Sequence, residues 1–256
     1  MQVSEVLTPL PSEFNSLPDP PSDLFYRGDL SLLALKKVSV VGSRKAYPYT
    51  RTIIQGLALE LAKRNVCVVS GAAMGVDALA HEGAYPKTIA ILGNGLDIVY
   101  PKVNKKLLDK MAEKALLLSE YKDGVEARSY SFVQRNRLVV ALGDVLVVAQ
   151  ADKNSGSMRS VEFAIQTGKK IYVLPHRLGE SEGTMQLLDE GKAELITDIK
   201  AFADLFGSII QSSDEFLMFC SSSPTYEEAL AYDPQKTFEY ELLGKIKVIN
   251  ARVYVP

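Results

Sequence analysis

Four short segments carry residue types suited to holding a phosphorylated ligand: Gly42-Ser43-Arg44, Ser70-Gly71-Ala72-Ala73-Met74-Gly75-Val76-Asp77, Gly93-Asn94-Gly95-Leu96-Asp97 and Asn154-Ser155-Gly156-Ser157. Glycine lets backbone approach a ligand closely, and the free amides of a following helix attract phosphate. Glycine, serine and asparagine also serve the geometry of any strand-to-helix turn, so the cations beside them, Arg44 and Lys153, weigh more heavily. A fifth segment, Phe132-Val133-Gln134-Arg135-Asn136-Arg137, opens a helical stretch that continues as Leu138-Val139-Val140-Ala141-Leu142. Arginines two residues apart do not share a helix face. One is therefore expected to point at the ligand while the other braces a neighbouring loop. Phe132 is a candidate platform for a stacked base, set against an ordinary place in the core.

Such residues need a scaffold that brings them to one rim. From Lys37 onward, apolar runs at Val38–Val41, Val66–Val69, Thr88–Leu92, Leu116–Leu118, Val145–Val148 and Ile171–Leu174 alternate with stretches of helical spacing near 48–64, 75–84, 102–114, 131–142 and 158–167. Runs this uniformly apolar fit strands buried on both faces, and the alternation predicts an α/β fold: an extended Rossmann-like parallel sheet with helices on both faces. In such a sheet, ligands bind beyond the carboxyl ends of the strands, where the four turns fall.

Residues 1–30, with Pro9, Pro11, Pro18, Pro20 and Pro21, are expected to be extended chain, and Leu24-Phe25-Tyr26 a short edge strand. The main domain is expected over 31–208. After a polar break at Gln211-Ser212-Ser213, helix-like segments near 214–220, 225–231 and 236–243 precede two short strands joined at Asn250-Ala251. Together they outline a small winged helix over 214–256.

The chain of 256 residues is 47% hydrophobic and 23% charged, enough to bury a full core. No stretch reaches the roughly 18 uncharged apolar residues of a membrane span, and the polar, proline-bearing start does not read as a signal peptide, so a cytoplasmic location without a membrane partner is expected. Two cysteines, Cys67 and Cys220, are too few for a disulfide framework or a zinc site. Neither a metal nor a cofactor is expected. The net charge of -2 hides an asymmetry: residues 122–177 hold nine Lys or Arg against five Asp or Glu, whereas 178–256 hold six against fourteen. This suggests one face for a polyanion and another for a different partner.

Taken in order, Val40-Val41-Gly42-Ser43-Arg44, Val69 to His81, Gly93-Asn94-Gly95-Leu96-Asp97 with Tyr100-Pro101, Ser119-Glu120-Tyr121, Arg135-Asn136-Arg137 and Ser155-Gly156-Ser157-Met158 resemble the successive motifs of the DprA/Smf family from about residue 22 to 190. The resemblance implies a single-stranded DNA site on the rim, head-to-head homodimers, and transfer of incoming DNA to the RecA recombinase during natural transformation, without catalysis. Carried over by position, Arg44, Phe132 and Lys153 are the DNA contacts, with Ser43, Gly71, Arg135, Asn136, Ser155, Gly156 and Ser157 shaping the pocket. Two departures matter. About 30 proline-rich residues leave no room for the SAM-type helical module that many members carry at the N-terminus. The winged-helix segment holds seven acids and four bases, which favours protein contact over a DNA groove.

The enzyme alternative is a nucleoside-monophosphate glycosidase of the LOG type, whose phosphate turn reads P-G-G-x-G-T followed by glutamate. Here Ser155-Gly156-Ser157 occupies the turn and Glu162 follows, without the full motif. A dinucleotide enzyme would need G-x-G-x-x-G after the first strand and an acid where Ser70 stands. Asp77 is expected to brace its own loop or face the helix dipole, and Asp97 to cap the turn before Tyr100. His81 and His176 lack triad spacing to any Ser or Cys.

Overall fold

In the computed structural model, residues 3–209, 214–249 and 251–255 are described. The break at Gln211-Ser212-Ser213 and Asn250 of the terminal turn lie outside the described residues. The chain separates into two compact units, the first ending at Ile209.

The first unit contains, in order, β1 (Glu5–Val6), β2 (Phe25–Gly28), β3 (Lys37–Val41), α1 (Pro48–Lys63), β4 (Cys67–Ser70), α2 (Val76–Ala84), β5 (Thr88–Leu92), α3 (Lys105–Lys114), β6 (Leu116–Ser119), α4 (Ser129–Leu142), β7 (Val145–Val148), α5 (Gly156–Gln166), β8 (Ile171–Val173), α6 (Glu182–Asp189), β9 (Glu194–Leu195) and α7 (Ile199–Asp204). The strands form one nine-stranded sheet in the order β1-β2-β6-β5-β4-β3-β7-β8-β9. From β6 through β9 all neighbours are parallel. This is the expected Rossmann-like α/β architecture.

The period-2 alternation of each strand divides the core between two faces. Val38 and Val40 of β3, with Val145 and Val147 of β7, pack with Ile54, Leu57 and Leu61 of α1, Leu79 of α2 and Phe202 of α7. Val41 of β3, with Leu146 and Val148 of β7, packs on the opposite face with Met111 of α3, Leu138 to Leu142 of α4 and Val161 of α5. Helices therefore cover both faces, and the strands read as continuous apolar runs because neither face meets water.

The strand expected at Leu24-Phe25-Tyr26 is present as β2, but it is not the outermost strand. β2 does run antiparallel to β6, but β1 covers its other side, pairing Glu5 with Tyr26 and Val6 with Phe25. The segment is anchored by single buried side chains, Phe14, Leu17 and Leu24, rather than by an apolar run. The second unit consists of α8 (Glu215–Cys220), α9 (Tyr226–Tyr232) and α10 (Pro234–Leu242), then a hairpin of β10 (Lys247–Ile249) and β11 (Arg252–Tyr254). Phe216, Cys220, Ala229, Tyr240, Ile246 and Val253 form its core. Asp214 caps α8 by accepting from the Phe216 amide, and the hydrogen bond from the Tyr240 hydroxyl holds its carboxyl down at about 2. Both cysteines are free and buried.

Candidate nucleic-acid interface

From β3 the chain steps one way through β4, β5 and β6, then returns to the other side of β3 as β7. Loops leaving β3 and β7 diverge at this switch point, which opens a crevice at the carboxyl ends. A cavity of about 660 Å³ occupies it, lined among others by Ser43, Arg44, Gly71, Asp77, Tyr100, Phe132, Arg135, Asn136, Ser155, Gly156, Ser157 and Ser160. Nine of the ten expected site residues thus share one wall system. Lys153 does not line it: its exposed ammonium lies 3.7 Å from Glu182.

Two glycines let the loops approach each other. A Cβ on Gly71 would lie 1.7 Å from Nη1 of Arg135, so the guanidinium can lie against this backbone only because residue 71 has no side chain. Gly75 has φ +77, and a Cβ there would meet the Ser43 carbonyl oxygen at 2.4 Å, which seats the loop after β4 on the loop after β3. Asp77 locks the first of these loops from below, its carboxylate accepting from the amides of Gly71 (3.2 Å) and Ala73 (3.3 Å).

The two arginines of α4 divide their roles as the spacing predicts, Arg135 lining the cavity and Arg137 bracing a neighbouring loop, but neither is exposed. Arg135 donates to the Ile91 carbonyl at 2.7 Å, and Arg137 makes a two-pronged pair with Glu120 at 3.0 and 2.7 Å. The first turns of α4 pack onto the sheet ends, so position 135 tucks beneath Gly71 and position 137 reaches the loop after β6. Arg135 still forms the floor of the cavity. Burial pushes its pKa down and pushes the Asp77 carboxyl up; each charge restrains the shift of the other.

Phe132 is half-buried and partnered on the cavity wall. Its ring stacks on Tyr100 with centroids 5.2 Å apart at 27°, and the exposed Arg44 guanidinium lies 5.8 Å from its centroid. Tyr100 belongs to the site and was missed as a site residue. The only sequence signal was its place in the Tyr100-Pro101 motif, in a loop with no periodicity to report which way its ring faces.

Opposite, α5 begins at the cavity. Ser155 stands at its N-cap position with extended backbone, and no side chain caps the first turn. The hydroxyls of Ser155 and Ser160 are buried without a hydrogen-bond partner among the described residues. The amides of Gly156 and Ser157 at the start of α5, these hydroxyls and the nearby Arg44 and Arg135 make a site for an anion of phosphate size.

Other expected roles change. Asp97 does not cap its own turn; its carboxylate accepts from the Gly124 amide at 2.9 and 3.0 Å and fixes the loop after β6. Glu162 lies outside the cavity lining, exposed and paired with Arg159 at 2.9 Å. His81 is fully buried. The Thr88 hydroxyl donates to the Val68 carbonyl, so it accepts from Nδ1–H of His81 at 2.6 Å, and burial, then the Arg135 charge, holds the imidazole neutral with its pKa at about 3. The basic span 122–177 is not a continuous cationic face. Arg137, Lys153, Arg159 and Lys170 pair with Glu120, Glu182, Glu162 and Glu194, while Arg135 and Lys169 donate to backbone carbonyls. Among the described residues no cluster of His, Cys, Asp or Glu is arranged to hold a metal ion, and no helix is long and apolar enough to cross a membrane.

Residues 8–207 match the family described as DNA recombination-mediator protein A. The chain belongs to this family. As a member of the DNA recombination-mediator protein A family, it is 39% identical over 196 residues to DNA processing protein DprA of Streptococcus pneumoniae, covering 73% of this chain and 67% of that protein. Its first unit resembles DNA processing protein A of Helicobacter pylori, solved with insight into that protein's single-stranded DNA binding mode (43% identity, TM-score 0.78, covering 79% of this chain and 94% of the other). The Streptococcus pneumoniae structure is similar at 34% identity and TM-score 0.75, covering 80% and 75%.

Proposed function

We propose that this family member binds single-stranded DNA in the carboxyl-end cavity, protects it, and passes it to the RecA recombinase during natural transformation, acting in the cytoplasm as a homodimer and catalysing no reaction. The observation that carries the reading is the pairing, within one crevice, of an aromatic platform beneath a cation (Tyr100, Phe132, Arg44) with the uncapped amino end of α5. Single-stranded nucleic acid offers such a wall unpaired bases to stack and phosphates to neutralise, whereas duplex DNA hides the base faces. Ser43, Gly71, Arg135, Asn136, Ser155, Gly156 and Ser157 shape the pocket; Lys153 serves as an outlying phosphate contact, its 3.7 Å pair between exposed side chains being weak enough to exchange. The Helicobacter pylori relative's single-stranded DNA binding mode supports the assignment.

A glycosidase needs carboxylates beside the ribose. Among the described residues the one carboxylate lining this cavity, Asp77, is turned to the amides of Gly71 and Ala73, and Glu162 lies outside. The C-terminal three helices and hairpin are read as a winged helix used for protein contact, in keeping with their net acidity.

The test is gel retardation with single- and double-stranded oligonucleotides of equal length, alongside an assay for free base released from nucleoside monophosphates. Retention of the single strand without base release is expected. Preference for duplex would overturn the DNA reading, and base release abolished by Glu162→Gln would make the protein an enzyme.

A further inference from the structure

A second cavity, of about 550 Å³, opens on the same carboxyl-end rim, between the start of α1 and the loop after β8. Tyr47, Tyr49, His176, Arg177 and Glu180 line it. None of these residues belongs to the site described above. In the first unit, the tyrosines left substantially exposed are Tyr47, Tyr49, Tyr100 and Tyr130. Tyr100 lines the first cavity and Tyr130 follows its lining residue Ser129, while Tyr47 and Tyr49 line the second. The most exposed rings of the unit thus gather along one edge of the sheet and offer a row of stacking surfaces.

The two cavities share a wall, and that wall is stiff. The loop from Gly42 to Tyr47 lines the first cavity at one end and the second at the other. Gln150, almost completely buried just past β7, accepts from the Tyr47 amide at 2.9 Å and donates to the Lys45 carbonyl at 3.4 Å; its own carbonyl accepts from the Ser43 amide at 2.8 Å. Ser43 Oγ accepts from the Lys45 amide at 3.1 Å. Four residues of chain span at most about 14 Å, so the cavities are a few nucleotides apart. His176 is fixed by donating from Nε2 to the Ala149 carbonyl at 2.8 Å, and its ring meets Tyr49 edge-on with centroids 6.0 Å apart. Along this path Arg44, Lys45 and Arg177 are exposed cations, and Glu180 is the one acid among the described residues lining the second cavity, which gives a strand a largely positive track between aromatic surfaces.

We propose that the second cavity is a further nucleotide site on the same strand: Tyr47 and Tyr49 receive an unpaired base and Arg177 its phosphate, while the pinned Ser43–Tyr47 loop sets the spacing from the first cavity. This rests on the single-stranded DNA reading and extends it to a path longer than one pocket.

Fluorescence anisotropy with oligo-dT of about 4 and about 12 nucleotides tests it, because the shorter probe fills one cavity and the longer reaches both. The combined Tyr47→Ala and Tyr49→Ala variant is expected to bind the shorter probe as the unaltered protein does and to lose at least about tenfold on the longer one, the scale of one stacked base. Tyr49→Phe should keep full affinity. Arg177→Gln, at an exposed position that does not endanger folding, should lose a few-fold on the longer probe and reduce its salt dependence. Equal losses at both lengths, or none at either, overturn the second site while leaving the first intact. Absence of binding by the unaltered protein at both lengths overturns the single-stranded reading itself.

Discussion

At the amino-terminal end of the sheet, Lys37 donates to the carbonyls of Leu33 (2.8 Å) and Leu35 (2.9 Å) and pairs with Glu13 at 3.0 Å, while Lys169 donates to Ala141 (3.1 Å) and Gly143 (2.6 Å). At the carboxyl end, Arg44 lies exposed over Phe132, and the uncapped first turn of α5 faces a cavity. The same residue types serve opposite purposes at the two ends. Where strands begin, cations satisfy carbonyls that the fold would otherwise leave buried and unpaired; where strands end, positive groups remain available to something outside the chain. Lysine and arginine counts do not distinguish these cases, whereas position along the strand does.

The largest effect that should sharpen this contrast is acid sensitivity at the amino end. His81, bonded to the first residue of β5, is kept neutral, its pKa moved from 6.5 to about 3. The unfolded chain takes up a proton below 6.5 that the fold refuses. The contribution of this group is therefore complete above pH 6.5 and is lost progressively as pH falls toward about 3, at about 1.4 kcal/mol per pH unit. Urea denaturation at pH 7, 5 and 4 should show a steeper loss for the unaltered protein than for His81→Asn, which keeps an amide donor but does not titrate; parallel slopes would contradict it. Next in size, Lys37→Met should cost about 2 kcal/mol by orphaning two carbonyls and Glu13, and should leave DNA affinity untouched. A loss of binding there would erase the distinction between the ends.

At the carboxyl end, Arg44→Ala should leave the melting temperature unchanged, weaken single-stranded DNA binding about tenfold for every sequence, and lower the salt slope by about 1. Sequence-selective binding in that variant would mean that Arg44 reads bases. The smallest effect is expected for Lys153→Ala, about two- to threefold in titrations across salt, because this lysine stands outside the cavity wall. If it proved more damaging than Arg44→Ala, the strand would have to run along α6 rather than over Phe132.

The parallel sheet, its helices and the rim turns were legible because buried strands write uniform apolar runs and strand-to-helix turns need small residues. β2 was legible too, near the expected Leu24-Phe25-Tyr26, but β1 was not, since two residues of backbone pairing leave no pattern and the anchors Phe14, Leu17 and Leu24 stand singly. Within the site, the wall residues from Ser43 to Ser157 were readable from their turns. The direction of a side chain was not. Arg135 and Arg137 both turn inward because α4 meets the sheet ends at its first turns, and Asp97 reaches Gly124 across 27 residues of sequence. Tyr100 was hidden for the same reason, as a ring in a loop shows its facing only once its neighbour, Phe132, is in place.

The pairing of Phe25 with Ser119 also sets an order of events on the ribosome. Residues 5–28 are made before the strand they pair with, which emerges only after β3, β4 and β5, several seconds later at roughly 5–20 residues per second. Until then the central parallel strands can assemble with their own helices, and the N-terminal ribbon closes over β6 as a late addition. It carries Ser4 and Arg27 to Asp123, so the loop after β6 that borders the binding rim is tied down only when this earlier-made ribbon finally docks.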